Sequence, residues 1–216
     1  DQTIGPAIAK AAKDAGVVLI ATDDGIVDEN GEPIPFVGFD GKDMGKKVGE
    51  AAAKLLTDSG WLSDSALKVG VLSVEVQTLS VCNDRTDNEK AAVVAAGVPE
   101  AQIFPVPYTG EALSAQDASG PIITAHTDIT NWIVFGCNDE GALGALNALA
   151  TAGVKTDDVI GVGDVDLAEG AADLAGEFVA LVLLQVGDDD LGAQGGQLAG
   201  GGQRAKDRLE DGRRVL

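Results

Sequence analysis

Short apolar runs recur along this chain, and each is closed by polar residues ahead of a stretch with helical spacing. Val17–Thr22 runs into Asp23-Asp24-Gly25. Val69–Val74 gives way to a polar stretch that reaches Arg85. Trp132–Phe135 passes through Gly136-Cys137 into Asn138-Asp139, and Val159–Val162 runs through Gly163 to Asp164 and Asp166. Unbroken apolar runs of strand length suit parallel strands buried on both faces. The residues after them suit helix starts, because an Asn or Asp oxygen can accept from backbone N–H groups that lack a partner inside the helix. Polar groups at the ends of four strands predict a polar cleft along the carboxyl edge of one sheet, where open α/β sheets take their ligands.

The remaining pattern alternates strand and helix. It predicts helices over 4–15, 43–58, 84–96, 112–125 (interrupted near Gly120-Pro121), 141–152, 167–174 and a Gly-weakened 188–208. Strands fall at 36–39, 102–106 and 178–183 besides those above. Such alternation gives an α/β fold: a Rossmann-like parallel sheet, right-handed crossovers, helices on both faces. Asp1-Gln2-Thr3-Ile4-Gly5 has no basic region and no signal-peptide core, and reads as a helix start. The expectation is that opening strands of the domain lie outside these residues, so that Ile4, Ile8 and Val18 await partners.

Composition narrows the function classes. A chain of 216 residues with 45% hydrophobic residues can bury a substantial core. A net charge of −20 repels phosphate backbones, and 4% aromatics make a poor stacking surface, so no nucleic-acid partner is expected. The acidity itself reads as solubility, with a salt-adapted or secreted origin as the sharper alternative. Cys82 and Cys137 fall near predicted strand ends and form no C-x-x-C pair, and two separate thiols are the simpler expectation. With His126 alone there is no zinc set, and neither metal nor cofactor is expected. No G-x-G-x-x-G follows the first strand, and neither a P-loop nor a G-x-S-x-G elbow occurs, which argues against an enzyme.

Phe36-Val37-Gly38-Phe39-Asp40-Gly41-Lys42-Asp43-Met44-Gly45-Lys46-Lys47-Val48-Gly49 resembles the sugar-binding periplasmic proteins of ABC importers, the type I periplasmic binding proteins. Gly60-Trp61, Ala95-Ala96-Gly97-Val98-Pro99-Glu100, Gln102-Ile103, Asn131-Trp132, Gly136-Cys137-Asn138-Asp139 and Asp158-Val159-Ile160-Gly161-Val162-Gly163 fit the same pattern in order and spacing. The resemblance covers most of residues 1–185. It implies two Rossmann-like lobes with a monosaccharide of the arabinose or galactose kind between them. Residues 41–185 would form the C-terminal lobe; 1–40 and 186–216 would be a remnant of an incomplete N-terminal lobe. The implied partners are the sugar and the membrane permease subunits of an importer. The implied location is periplasmic or extracellular, with lipid anchoring of the full-length form left open.

Residue by residue, the resemblance gives Asp23 and Asp24 as carboxylates that accept from sugar hydroxyls. Arg85 becomes a donor toward the ring-oxygen region, Asn138 an amide able to donate and accept, and Phe39 an apolar wall. An asparagine of the family pattern falls at Val165 here, with Asp164 and Asp166 on either side as candidates. Each residue also has a plainer reading: Asn138 as a helix cap, Asp23 and Asp24 as a solvated turn, Arg85 as a surface helix residue, Phe39 as core. Asp188-Asp189-Asp190 offsets a helix dipole. The competing function is the effector-binding domain of a sugar-responsive LacI-type transcription regulator, which shares this fold.

Overall fold

The computed structural model describes residues 2–22, 24–38, 40–163 and 181–183. A short 3-10 turn, Gln2–Ile4, leads into α1 (Gly5–Asp14), and a two-stranded parallel sheet pairs β1 (Ala21–Thr22) with β2 (Phe36–Val37). Then come α2 (Gly41–Ser59), β3 (Val69–Glu75), α3 (Ser80–Ala95), β4 (Ile103–Pro107) and α4 (Ala112–Ala125). β5 (Asn131–Gly136), α5 (Asp139–Thr151), β6 (Val159–Gly163) and β7 (Leu181–Leu183) follow. The larger sheet is parallel throughout, in the order β4-β3-β5-β6-β7. The segments 69–74, 102–106, 132–135 and 159–162, expected as strands of one sheet, do share it, whereas the Val17–Thr22 run does not join them, because β1 pairs with β2 in the smaller sheet.

Both faces of this sheet are covered, and the strand period sorts the core. Val71, Ile133, Phe135 and Val162 point to one face and pack under Val48, Ala52 and Leu56 of α2 and Val93 of α3. Leu72, Val106, Trp132 and Val134 point to the other, beneath Ala115 and Ile123 of α4 and Ala145 and Leu149 of α5. Every residue of β3 and β5 is buried, which is why their sequences read as continuous apolar runs. α3 carries the chain from β3 outward to β4, whereas α5 carries it from β5 the other way to β6. The strand order therefore reverses between β3 and β5. A crevice opens outside their carboxyl ends at such a switch point.

Glycine sets how closely α2 and α3 approach. A Cβ on Gly45 would lie 2.2 Å from the Arg85 carbonyl oxygen, and one on Gly49 would lie 2.9 Å from Glu89 Cα. Gly45→Ala is expected to lower stability by roughly 1–2 kcal/mol, because the overpacking cost outweighs the gain of about 1 kcal/mol in helix propensity. Urea denaturation checks this, and a stabilised variant would show that the helices separate freely.

Some expectations need correction. The strand expected over Val17–Thr22 is paired only at Ala21–Thr22, and that over 36–39 only at Phe36–Val37. Val17 and Val18 are 61% and 86% exposed, so no core holds the first part of the run in a ladder. The exposure of Ile4 and Ile8, at 52% and 41%, needs no correction, since both were expected to lack partners among these residues. α4 runs through Gly120-Pro121 without a break. Proline's clash with the preceding residue falls partly on that residue's Cβ, which Gly120 lacks. The expected helices at 167–174 and 188–208, and the strand residues before Leu181, lie outside the described residues.

Candidate functional site

Two of the candidates stand at the switch point. Arg85 lies in the second turn of α3, after β3, and Asn138 is the N-cap of α5, directly after β5. Arg85 is only 7% exposed, which a surface helix residue would not be. Its helix has no side-chain cap from its own N-terminus, where Leu79 stands. Gln2 caps it instead: its carbonyl oxygen accepts from Ser80 N–H at 3.1 Å, and its amide donates to Ser80 Oγ at 2.9 Å. The same amide also donates to the Gly25 carbonyl at 2.9 Å. One side chain thus ties the loop that carries Asp24 to the start of the helix that carries Arg85. Asp24 is partly buried on that loop.

A disulfide between Cys82 and Cys137, with Cα atoms 4.8 Å apart, joins the two elements directly. The expectation of separate thiols is therefore wrong. The lack of a C-x-x-C pair misled, because the parallel β3–β5 pairing returns position 137 to the start of α3. Cys82 is three residues before Arg85, and Cys137 adjoins Asn138.

Asn138 is both a cap and a ligand-facing candidate, and its polar atoms are largely committed. Its carbonyl oxygen accepts from Gly141 N–H at 2.8 Å and from the Tyr108 hydroxyl at 2.5 Å. Its amide donates one hydrogen to the Gly110 carbonyl at 3.2 Å. Among the described residues, its carbonyl oxygen thus accepts two hydrogen bonds and its amide donates one. Tyr108 is buried at the carboxyl end of β4. Burial first, then the negative charge of Glu140, push its hydroxyl up to about 12 against the opposing charge of Arg85, so it stays a donor.

Beneath Arg85 lies a charged layer that the sequence reading missed. Glu89, one helical turn on, is fully buried, and neither carboxylate oxygen has a hydrogen-bond partner among the described residues. Burial raises its pKa to about 8, with Arg85 and Lys90 pulling down and Glu75 pushing up. Glu75, at the end of β3, accepts from Ser73 Oγ and from Lys90 Nζ, each at 2.9 Å. Burial works to lower the Lys90 pKa, but its bonds to Glu75 and Asp87 outweigh that and hold it above its usual value. The available signals were the i, i+4 spacing of Arg85 and Glu89 and the carboxylate that ends the β3 run. Tyr108 had a signal too, since it follows a strand of the same sheet.

Asp23, Phe39, Asp164 and Asp166 lie outside the described residues. Among the described residues no cluster of His, Cys, Asp and Glu could hold a metal, and no helix is long and apolar enough to cross a membrane. A cleft of about 300 Å³ beside α1, bordered by Ala9, Lys13, Val17 and Ile34, includes none of the candidates.

A parallel sheet with polar donors at its switch point is the arrangement at which open α/β sheets take their ligands. The chain belongs to the periplasmic binding protein domain family, whose model matches residues 1–198. It is 32% identical over 182 residues to the ABC transporter L-arabinose-binding periplasmic protein of Azospirillum brasilense, covering 82% of this chain and 52% of that protein. It is 31% identical over 168 residues to the L-arabinose-binding periplasmic protein of Escherichia coli, covering 76% and 50%. The chain thus spans about half the length of these curated relatives. The fold also matches a Caulobacter myo-inositol binding protein bound to myo-inositol, with a TM-score of 0.64, 22% identity and coverage of 85% and 59%.

Proposed function

We propose that the chain binds a monosaccharide, L-arabinose first among candidates, as part of the solute-binding component of a carbohydrate ABC importer. The observation that carries this reading is the placement of Arg85 and Asn138 at the carboxyl ends of adjacent strands where the strand order reverses. Arg85 supplies a rigid fork of donors suited to adjacent oxygens, and Asn138 supplies one further N–H. Asp23 and Asp24 accept hydroxyl protons in charge-assisted bonds. Phe39, Asp164 and Asp166 are further ligand-binding candidates by the family resemblance. Residues 41–185 act as one lobe; 1–40 and 186–216 belong to its counterpart. The two lobes close on the sugar and present the closed form to the permease subunits. No bond of the sugar is changed.

The curated relatives carry arabinose-binding periplasmic names, which favours a receptor over a transcription regulator. The disulfide supports an oxidising compartment such as the periplasm. Calorimetry on the whole protein with L-arabinose tests the assignment. Arg85→Ala and Asn138→Ala are each expected to weaken binding by roughly 1.5–3 kcal/mol, the cost of losing a charged or buried hydrogen bond. Unchanged affinity in both variants would sink it.

A further inference from the structure

We infer that Tyr108 is a specificity-setting positioning residue: by occupying the Asn138 carbonyl it leaves Asn138 able only to donate, so the site reads an acceptor oxygen there. The inference rests on the sugar-binding reading of this site.

The orientation of the Asn138 amide is fixed by partners whose roles cannot be exchanged. Gly141 N–H can only donate and the Gly110 carbonyl can only accept, so the oxygen faces α5 and the nitrogen faces residue 110. A carbonyl oxygen has two lone pairs. Gly141 N–H takes one and the Tyr108 hydroxyl, at 2.5 Å, takes the other. Of the two amide hydrogens, Gly110 holds one. A ligand atom arriving beside Asn138 meets the remaining N–H and no open lone pair.

The structure is built tightly around this arrangement. A Cβ on Gly141 would lie 2.9 Å from both Cζ and Oη of Tyr108. The ring is buried, with 7% of the residue exposed, and stands at the end of β4 next to β3 in the sheet. Without its hydroxyl, one lone pair of Asn138 is released, and the amide loses one of the contacts that hold it.

The consequence is selective. A hydroxyl can both give and take a proton, whereas fluorine in its place can only accept. Wild-type Asn138 therefore treats a hydroxyl and a fluorine alike in kind, because it asks only for an acceptor. Tyr108→Phe restores an acceptor, so that a hydroxyl gains a bond that fluorine cannot make.

The test uses the whole protein, L-arabinose and its 2-, 3- and 4-deoxy and deoxyfluoro analogues, by titration calorimetry. At one position the fluoro analogue is expected to bind wild type at least about threefold tighter than the deoxy analogue, an advantage that Asn138→Ala abolishes. At that position Tyr108→Phe is expected to widen the preference for the parent sugar over its fluoro analogue by about threefold to tenfold. A preference unchanged between wild type and Tyr108→Phe overturns the inference, as does a wild-type site at which no fluoro analogue outperforms its deoxy counterpart. Nitrogen-15 relaxation of the Asn138 side-chain amide in ligand-free protein supplies a second readout. A rigid amide in wild type that loosens in Tyr108→Phe supports the positioning role, and equal rigidity refutes it. Should wild type bind none of the sugars, the sugar-binding reading falls, while the amide measurement still decides what Tyr108 does.

Discussion

Reduction of the Cys82–Cys137 disulfide is expected to lower stability by about 4 kcal/mol and the melting temperature by roughly 8–16 °C. The sulfurs close a loop with a sequence separation of 55. In the chain-entropy account, a cross-link of that length removes about 4 kcal/mol of freedom from the unfolded chain. The loop contains nearly all of α3 and the whole of β4, α4 and β5, so the cross-link spans the crossovers that build the middle of the sheet. The effect on the site is as direct. α3 and α5 each hold one candidate, and the bond fixes their starts against each other. Melting curves with and without a phosphine reductant, set beside a Cys82→Ala, Cys137→Ala double variant, measure the effect. The double variant should be indifferent to reductant. A wild-type shift below about 2 °C would show that packing alone sets this geometry. A weakened sugar affinity in the reduced protein is the matching functional outcome.

The sheet was legible in the sequence because burial on both faces leaves a signature that needs no partner to be read. Val69–Val74, apolar but for Ser73, and Trp132–Phe135, apolar throughout, both became central strands. Helix ends were legible where a local residue caps them: Asn138 accepts from Gly141 N–H, and Asp40 accepts from Lys42 N–H at 2.9 Å. What stayed hidden depends on residues distant in sequence. Gln2 caps α3 from 78 positions away, so α3 begins at Ser80, four residues before its expected start. Tyr108 meets Asn138 across 30 positions, and that meeting changes what the asparagine can do. The β1 region misled for the opposite reason. Its apolar composition reads as a buried strand, but Val18 is almost fully exposed, and hydrophobicity by itself creates no strand partner.

Glu89→Gln is expected to remove the fall of stability that Glu89 contributes to the wild type between about pH 4.5 and 8. The folded pKa of Glu89 is raised to about 8 from an ordinary 4.5. Across that window the unfolded chain has lost this proton and the native protein has not. The native state binds more protons, so stability falls as pH rises. The contribution is fully present below 4.5 and is lost as pH climbs through 8. At one pKa unit per 1.36 kcal/mol, the whole window amounts to at most about 5 kcal/mol. That net shift already includes the attraction of Arg85 and Lys90, which opposes the burial, and the repulsion of Glu75, which adds to it. Glutamine keeps the size of the side chain and never ionises. Urea denaturation at pH 5, 6, 7 and 8 should therefore give a steeper decline for wild type than for the variant, and the variant should be the more stable of the two at pH 8. Equal slopes would mean that Glu89 titrates as an ordinary carboxylate and that water reaches it. The position of Glu89, one turn beyond Arg85, makes the protonation state matter for the ligand as well. At neutral pH a protonated Glu89 adds no negative charge beside the guanidinium, whose positive field stays directed at incoming oxygens. Above pH 8 the new carboxylate competes for that field, and sugar affinity should decline in wild type while holding steady in Glu89→Gln.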